Sequence, residues 1–179
     1  MIVRLKELLP GPRHFDLRFE SGWWEVVNPE PDGQVLGLDG PLKVRLALSR
    51  EGRYYAADGS LSGSVRARCD RCLEVYSHHV RSRFRLLLAS PLPEPVAGDS
   101  ALLEEDMSVE FLSDEEVNID QLVREQLYLA LPVKFLCHEG CRGLCSGCGA
   151  NLNYETCTCP VPGGHPAFRK LEQLKVKMG

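Results

Sequence analysis

Eight cysteines constrain this chain more than any other feature, and their spacing is uneven. Cys69 and Cys72 form an isolated C-x2-C pair, while Cys137, Cys141, Cys145, Cys148, Cys157 and Cys159 crowd the last quarter. They have two chemical uses, disulfides or metal ligation. Disulfides persist in exported proteins, and the start of the chain, Met1 to Leu9 then Pro-Gly-Pro, has no apolar stretch long enough for a secretory signal. No apolar run approaches the roughly 18 residues of a membrane span. The expectation is a cytoplasmic protein with reduced cysteines and no membrane partner. With 179 residues it can bury about two-thirds of its unfolded surface and needs no disulfides to fold.

Cys145-Ser146-Gly147-Cys148-Gly149 is the most specific local signal. A C-x2-C turn brings two thiolates to one metal, and a following glycine tolerates positive φ. Cys157 and Cys159 complete a first four-sulfur set, and Cys69, Cys72, Cys137 and Cys141 are available for a second. The C-x-C pair has a tight bite, and Cys137, Cys141 and Cys145 would align only on a helix that Gly140 and Gly143 oppose. The partition therefore stays open at this level. Four thiolates favour zinc, one or two ions, with iron–sulfur chemistry as the runner-up metal and free thiols as the plain alternative. A closed four-sulfur site is structural. A catalytic zinc needs an open position and a general base, and only His138 of the five histidines lies in the cluster. There is no HExxH pattern, deaminase signature, P-loop, dinucleotide fingerprint or nucleophile elbow. No enzyme and no small-molecule substrate is expected. A thioredoxin-like role for Cys69 and Cys72 needs a strand–helix setting, and the flanks here read as strands.

Residues 14–20 and 42–48 alternate with period 2, and 61–69 and 79–88 are further strand candidates. Residues 28–33 read as a loop. Tyr54-Tyr55-Ala56-Ala57 is followed by Asp58-Gly59, a favoured hairpin turn pair, so a turn is predicted there. Prolines at 91, 93 and 95 predict an exposed connection over 90–106, with a short strand at 109–112 beyond it. A helix is predicted over 119–131, capped by Asn118 with Gln121 in the capping-box position and stopped by Pro132. Its apolar stripe is Ile119, Leu122, Val123, Leu127 and Leu131. A second helix opens at Pro166 and runs to about residue 176. Trp23 and Trp24 read as anchors of the core and its edge. The fold class that results is α+β: a predominantly antiparallel sheet with one packing helix over 1–135, and a cysteine-rich zinc subdomain with a short helix over 136–179.

The net charge of −4 excludes a uniformly basic nucleic-acid binder but conceals an asymmetry. Residues 1–90 carry a net +3, residues 91–136 a net −9 and residues 137–179 a net +2. Strand periodicity puts Arg81, Arg83 and Arg85 on one face, with Val80, Phe84 and Leu86 on the other. Pairing across the Cys69–Cys72 turn would add Arg66 and Arg68, giving a five-guanidinium phosphate stripe or a solvated face. No aromatic residues accompany the arginines as a stacking platform. His78 and His79 point to opposite faces and do not form a shared metal site.

The run Arg68-Cys69-Asp70-Arg71-Cys72-Leu73-Glu74, then Ile119-Asp120-Gln121-Leu122 leading to Leu129-Ala130-Leu131-Pro132-Val133, resembles the YceD-like family of large ribosomal RNA subunit accumulation proteins. The cysteine-rich stretch from Cys137 to Asn153 is similar to the tail of many bacterial members, and Pro166-Ala167-Phe168-Arg169-Lys170-Leu171 to their final helix. The resemblance covers roughly 65–175. It implies a cytosolic, non-enzymatic factor of ribosome biogenesis, with rRNA or the assembling large subunit as partner. Some members lack most of these cysteines, so the resemblance does not make zinc essential to the shared role. His165 stands where the family often has aspartate before the proline. Two alternatives accompany this reading: an adaptor whose acidic middle engages a basic ribosomal protein, and a thiol-based redox or metal-delivery protein.

Overall fold

Alternation of apolar and polar residues makes most of the first half a set of strands. The computed structural model describes residues 1–8, 11–29, 33–52, 54–89, 109–112 and 115–159. In chain order the strands are β1 (Ile2–Arg4), β2 (Arg13–Phe19), β3 (Val35–Leu38), β4 (Leu42–Glu51), β5 (Tyr54–Arg68), β6 (Val75–Ala89), β7 (Val109–Phe111) and β8 (Glu116–Asn118). Among the described residues two helices, α1 (Ser21–Val27) and α2 (Ile119–Leu129), complete the regular structure with one 3-10 turn, Leu5–Glu7.

The main sheet runs β2-β4-β5-β6-β7, with β3 paired to the far end of β5. All of its pairs are antiparallel except β6–β7. β1 and β8 form a separate antiparallel pair. One sheet face is apolar: Leu42, Val44, Leu46 and Leu48 of β4, Leu61 and Val65 of β5, and Val80 and Leu88 of β6 are all buried. That face joins one core with Trp24 of α1 and with Ile119, Leu122, Val123 and Leu127 of α2. Each such side chain contributes about 1.5–3 kcal/mol when taken out of water. The other face carries the exposed polar residues of each alternation.

Three expectations are corrected. The Asp58-Gly59 pair is not a turn, because β5 passes straight through it and pairs with β6 along its whole length. Gly59 serves the sheet differently: it lies opposite Phe84, and a β-carbon there would overlap the Phe84 ring. Second, two helices pack on the sheet. The short α1 carries Trp24 inward and leaves Trp23 half-buried against Phe19, with ring centroids 4.5 Å apart. Seven residues with adjacent tryptophans give no legible helical period. Third, α2 ends at Leu129 rather than 131, and its cap is one-sided. The Asn118 side chain accepts from the amides of Asp120 and Gln121, but the Gln121 amide group donates to Glu125 at 3.0 Å instead of reaching back. The 90–106 connection and the 166–176 helix lie outside the described residues.

Candidate metal centres and the cationic sheet face

The β5–β6 hairpin closes through Cys69-Asp70-Arg71-Cys72, and this turn is where the C-terminal segment docks. Asp70 donates its amide to the Phe135 carbonyl at 2.8 Å, and its carboxylate accepts the Phe135 amide at 2.7 Å. That reciprocal pair delivers Cys137 to the hairpin. Arg71 donates from its guanidinium to the Cys141 carbonyl at 2.8 Å, and its own carbonyl accepts the Leu144 amide at 3.1 Å. Gly143 makes this approach feasible, since its φ is +75° and a β-carbon would meet the Arg71 carbonyl at 3.0 Å. No helix forms over 137–145, in keeping with its glycines.

Two tetrads result. The sulfurs of Cys69, Cys72, Cys137 and Cys141 all lie within 4.8 Å of one another, and so do those of Cys145, Cys148, Cys157 and Cys159. The partition left open by spacing is therefore decided by packing, and the C-x-C pair does reach one point. A tetrahedron with metal–sulfur bonds of about 2.3 Å has sulfur–sulfur edges of about 3.8 Å. Cys69–Cys141 at 3.8 Å and Cys72–Cys137 at 3.7 Å match it. The inner donor set thus fits one ion, while in the outer tetrad Cys145 and Cys157 stand closer, at 3.2 Å, with all four sulfurs still within 4.8 Å of one another. A multi-iron cluster would have to spread its ligating sulfurs farther apart, because bridged irons sit between them.

The two sites differ in setting. In the inner one Cys69, Cys72 and Cys141 are buried, packed with Tyr76 and Leu136. In the outer one Cys148 is exposed and the other three are half-buried. The outer knuckle is local: Cys145 donates its amide to Ala150, Gly149 donates back to Cys145, and the Gly147 amide points at the Cys145 sulfur at 3.4 Å. Asn153 ties the sites together, with its side-chain amide 3.4 Å from the Cys141 sulfur and its carbonyl oxygen accepting the Arg142 amide.

Without a cation, charge is divided unevenly among these thiols. Burial pushes the Cys69 thiol up, but hydrogen bonds from the amides of Cys72, Cys137 and Arg71 outweigh it and bring it down to about 6. Cys137 is pushed up to about 12, first by burial and then by its sulfur neighbours. Outside, the Cys148 amide and the Cys157 thiol lower Cys145 to about 6, while Cys148 and Cys157 push Cys159 up to about 12. Four like charges cannot share so small a volume unaided, and a dication held there would let all four sulfurs deprotonate.

The five arginines share one face, since Arg66 and Arg68 pair opposite Ser77 and Val75 while Arg81, Arg83 and Arg85 pair opposite Ser62, Ser60 and Asp58. Arg85 is held between Glu51 at 2.7 Å and Asp58 at 3.2 Å. Arg66, Arg68, Arg81 and Arg83 are exposed, and no carboxylate of the described residues pairs with them. His78 and His79 do diverge: His78 packs edge-on to Phe135, and His79 meets Ser64 on the arginine face at 2.7 Å. Composition alone missed Lys43 and Arg45, which the alternation of β4 puts on the same face as the arginines. No described helix is long and apolar enough to cross a membrane.

The family described as large ribosomal RNA subunit accumulation protein YceD matches residues 57–175, which take in most of β5, all of β6 and α2, and all eight cysteines. A protein named large ribosomal RNA subunit accumulation protein YCED homolog 1, chloroplastic, from Arabidopsis thaliana is 25% identical over 173 residues, covering 85% of this chain and 52% of its own length. Its Zea mays counterpart of the same name is 26% identical over 170 residues, covering 82% and 56%. An uncharacterized Mycobacterium tuberculosis protein is 30% identical over 123 residues, covering 69% and 54%. The chain thus spans about half the length of these relatives. No solved structure matches it. With the family match covering well over half of its length, and the cysteine hairpin and α2 inside it, the chain belongs to the YceD family of large ribosomal RNA subunit accumulation proteins.

Proposed function

We propose that this chain is a non-enzymatic factor in the accumulation of large-subunit rRNA, that it touches RNA through the cationic sheet face, and that zinc fills both tetrads as a structural ion. The RNA reading rests on one observation: Arg66, Arg68, Arg81 and Arg83 stand on one exposed face without carboxylate partners among the described residues. Guanidinium forks match phosphate geometry and position a protein on an RNA backbone. Arg85, already engaged by Glu51 and Asp58, contributes least. Each closed tetrathiolate zinc site carries a formal charge of about −2, so two take the chain from −4 to about −8. General basicity then cannot recruit RNA, and a local face must.

Cys69, Cys72, Cys137 and Cys141 would hold one zinc and Cys145, Cys148, Cys157 and Cys159 the other. Zinc there supplies cross-linking, because four sulfurs leave no position for substrate or water. The inner site joins the tail to the hairpin that carries the arginines. The test is RNA association by the intact protein across a salt series, with Arg81→Glu/Arg83→Glu as the variant. Binding should weaken steeply with salt and fall about tenfold in the variant. Unchanged association in the variant would refute the face, and elemental analysis returning no zinc in the reduced protein would refute the metal.

A further inference from the structure

We infer that the cationic face is shaped for double-stranded RNA and sits astride its minor groove, an inference that rests on the RNA reading above. The strand register carries it. Lys43 of β4 lies opposite Ser62 of β5, which lies opposite Arg81 of β6; two residues along, Arg45, Ser60 and Arg83 repeat the same rung. Neighbouring strands are about 4.8 Å apart. Two cationic rows therefore run side by side about 10 Å apart, with a row of hydroxyls between them. These six residues line one open concavity of about 570 Å³, which extends onto β2.

The chemistry of the rungs separates duplex from single strand. A-form RNA has a wide, shallow minor groove bordered by two phosphate backbones and displaying 2′-hydroxyls. Each cationic row meets one backbone, and Ser60 and Ser62 meet the hydroxyls. Readers of unpaired bases use aromatic side chains as stacking platforms, and no aromatic side chain among the described residues lines this concavity. Asp58 follows Ser60 in the middle row and is engaged by Arg85 at 3.2 Å, and two more carboxylates lie towards β2. Asp16 pairs with Arg45 at 3.5 Å, and Glu20 pairs with Arg18 at 2.7 Å. Both pairs are solvent-exposed, so each is weak and Arg45 can exchange its partner for a phosphate. Lys43, Arg81 and Arg83 have no such competitor among the described residues.

The experiment is fluorescence anisotropy with the full chain and three probes: an RNA duplex of about 16 base pairs, one of its strands alone, and the DNA duplex of the same sequence. The RNA duplex should bind about tenfold tighter than either other probe. Lys43→Glu/Arg45→Glu and Arg81→Glu/Arg83→Glu should each lose about tenfold and lower the salt slope by about two, with circular dichroism and metal content unchanged. Ser60→Ala/Ser62→Ala should erase the preference for RNA over DNA duplex while sparing DNA affinity. Equal or tighter binding of the single strand, with the charge reversals still effective, overturns the duplex inference and leaves the RNA reading standing. Failure to bind any RNA overturns both.

Discussion

Replacing Cys69 with serine and, separately, Cys148 with serine asks whether the two tetrads do the same work. The inner tetrad links residues far apart in the chain, with 72 positions separating Cys69 from Cys141. The outer links neighbours, with 12 positions between Cys145 and Cys157. Treated as cross-links of the unfolded chain, loops of those lengths are worth about 4.4 and about 2.8 kcal/mol. More separates them than loop length. The inner link also holds the Asp70–Phe135 and Arg71–Cys141 hydrogen bonds, and Cys69 is wholly buried at 0% exposure. The outer link orders only its own knuckle. Cys69→Ser should therefore cost about 4 kcal/mol or more of global stability, a large part of the 5–15 typical of a domain. For a chain of this size that lowers the melting temperature by about 10–15 °C. Cys148→Ser should lose one metal and leave the sheet's melting temperature within about 2 °C. Thermal unfolding followed by circular dichroism, with metal content measured on the same samples, reads both. Equal melting shifts in the two variants would refute the division into a stapling inner site and a local outer one.

Three smaller perturbations probe the scaffold. Gly59→Ala should destabilise by about 1–3 kcal/mol through collision with Phe84, and Phe84→Ala in the same chain should cancel most of the clash; urea denaturation of both variants checks it. Asn118→Ala removes the side-chain cap of α2 and should cost about 1 kcal/mol in the same assay. Asp120 is pushed up by burial, but hydrogen bonds from the terminal amino group and from Trp23 outweigh this and hold its carboxyl below the usual 3.8. Its contribution to stability is therefore full above that value and is lost as pH falls through the lower folded one. Asp120→Asn should flatten the acid limb of a stability–pH profile and change little of its shape near neutrality.

The helix α2 and the strands β2 and β4 were legible because their signals are local: a capping asparagine, a 3.6-residue stripe, a two-residue alternation. The Asp58-Gly59 pair misleads for the opposite reason. Its turn preference is real, but pairing with β6 on one side and β4 on the other outweighs it, and the glycine is needed where the Phe84 ring crosses the sheet. In α1 the helical run is too short for its period to show, and burial of Trp24 beside Tyr128 selects the conformation.

By itself the sequence determined that eight thiols suffice for two four-sulfur sets and that arginines alternate along the hairpin, since residue type and spacing establish both. The choice of which cysteines meet belonged to the tertiary structure. Cys69 and Cys137 come together only because the hairpin end, Asp70 and the Phe135 backbone converge from distant parts of the chain. The same holds for the cationic face. Alternation assigns each charge to one side of its own strand, but only inter-strand register sets Lys43, Ser62 and Arg81 in one row, because register is a relation between strands.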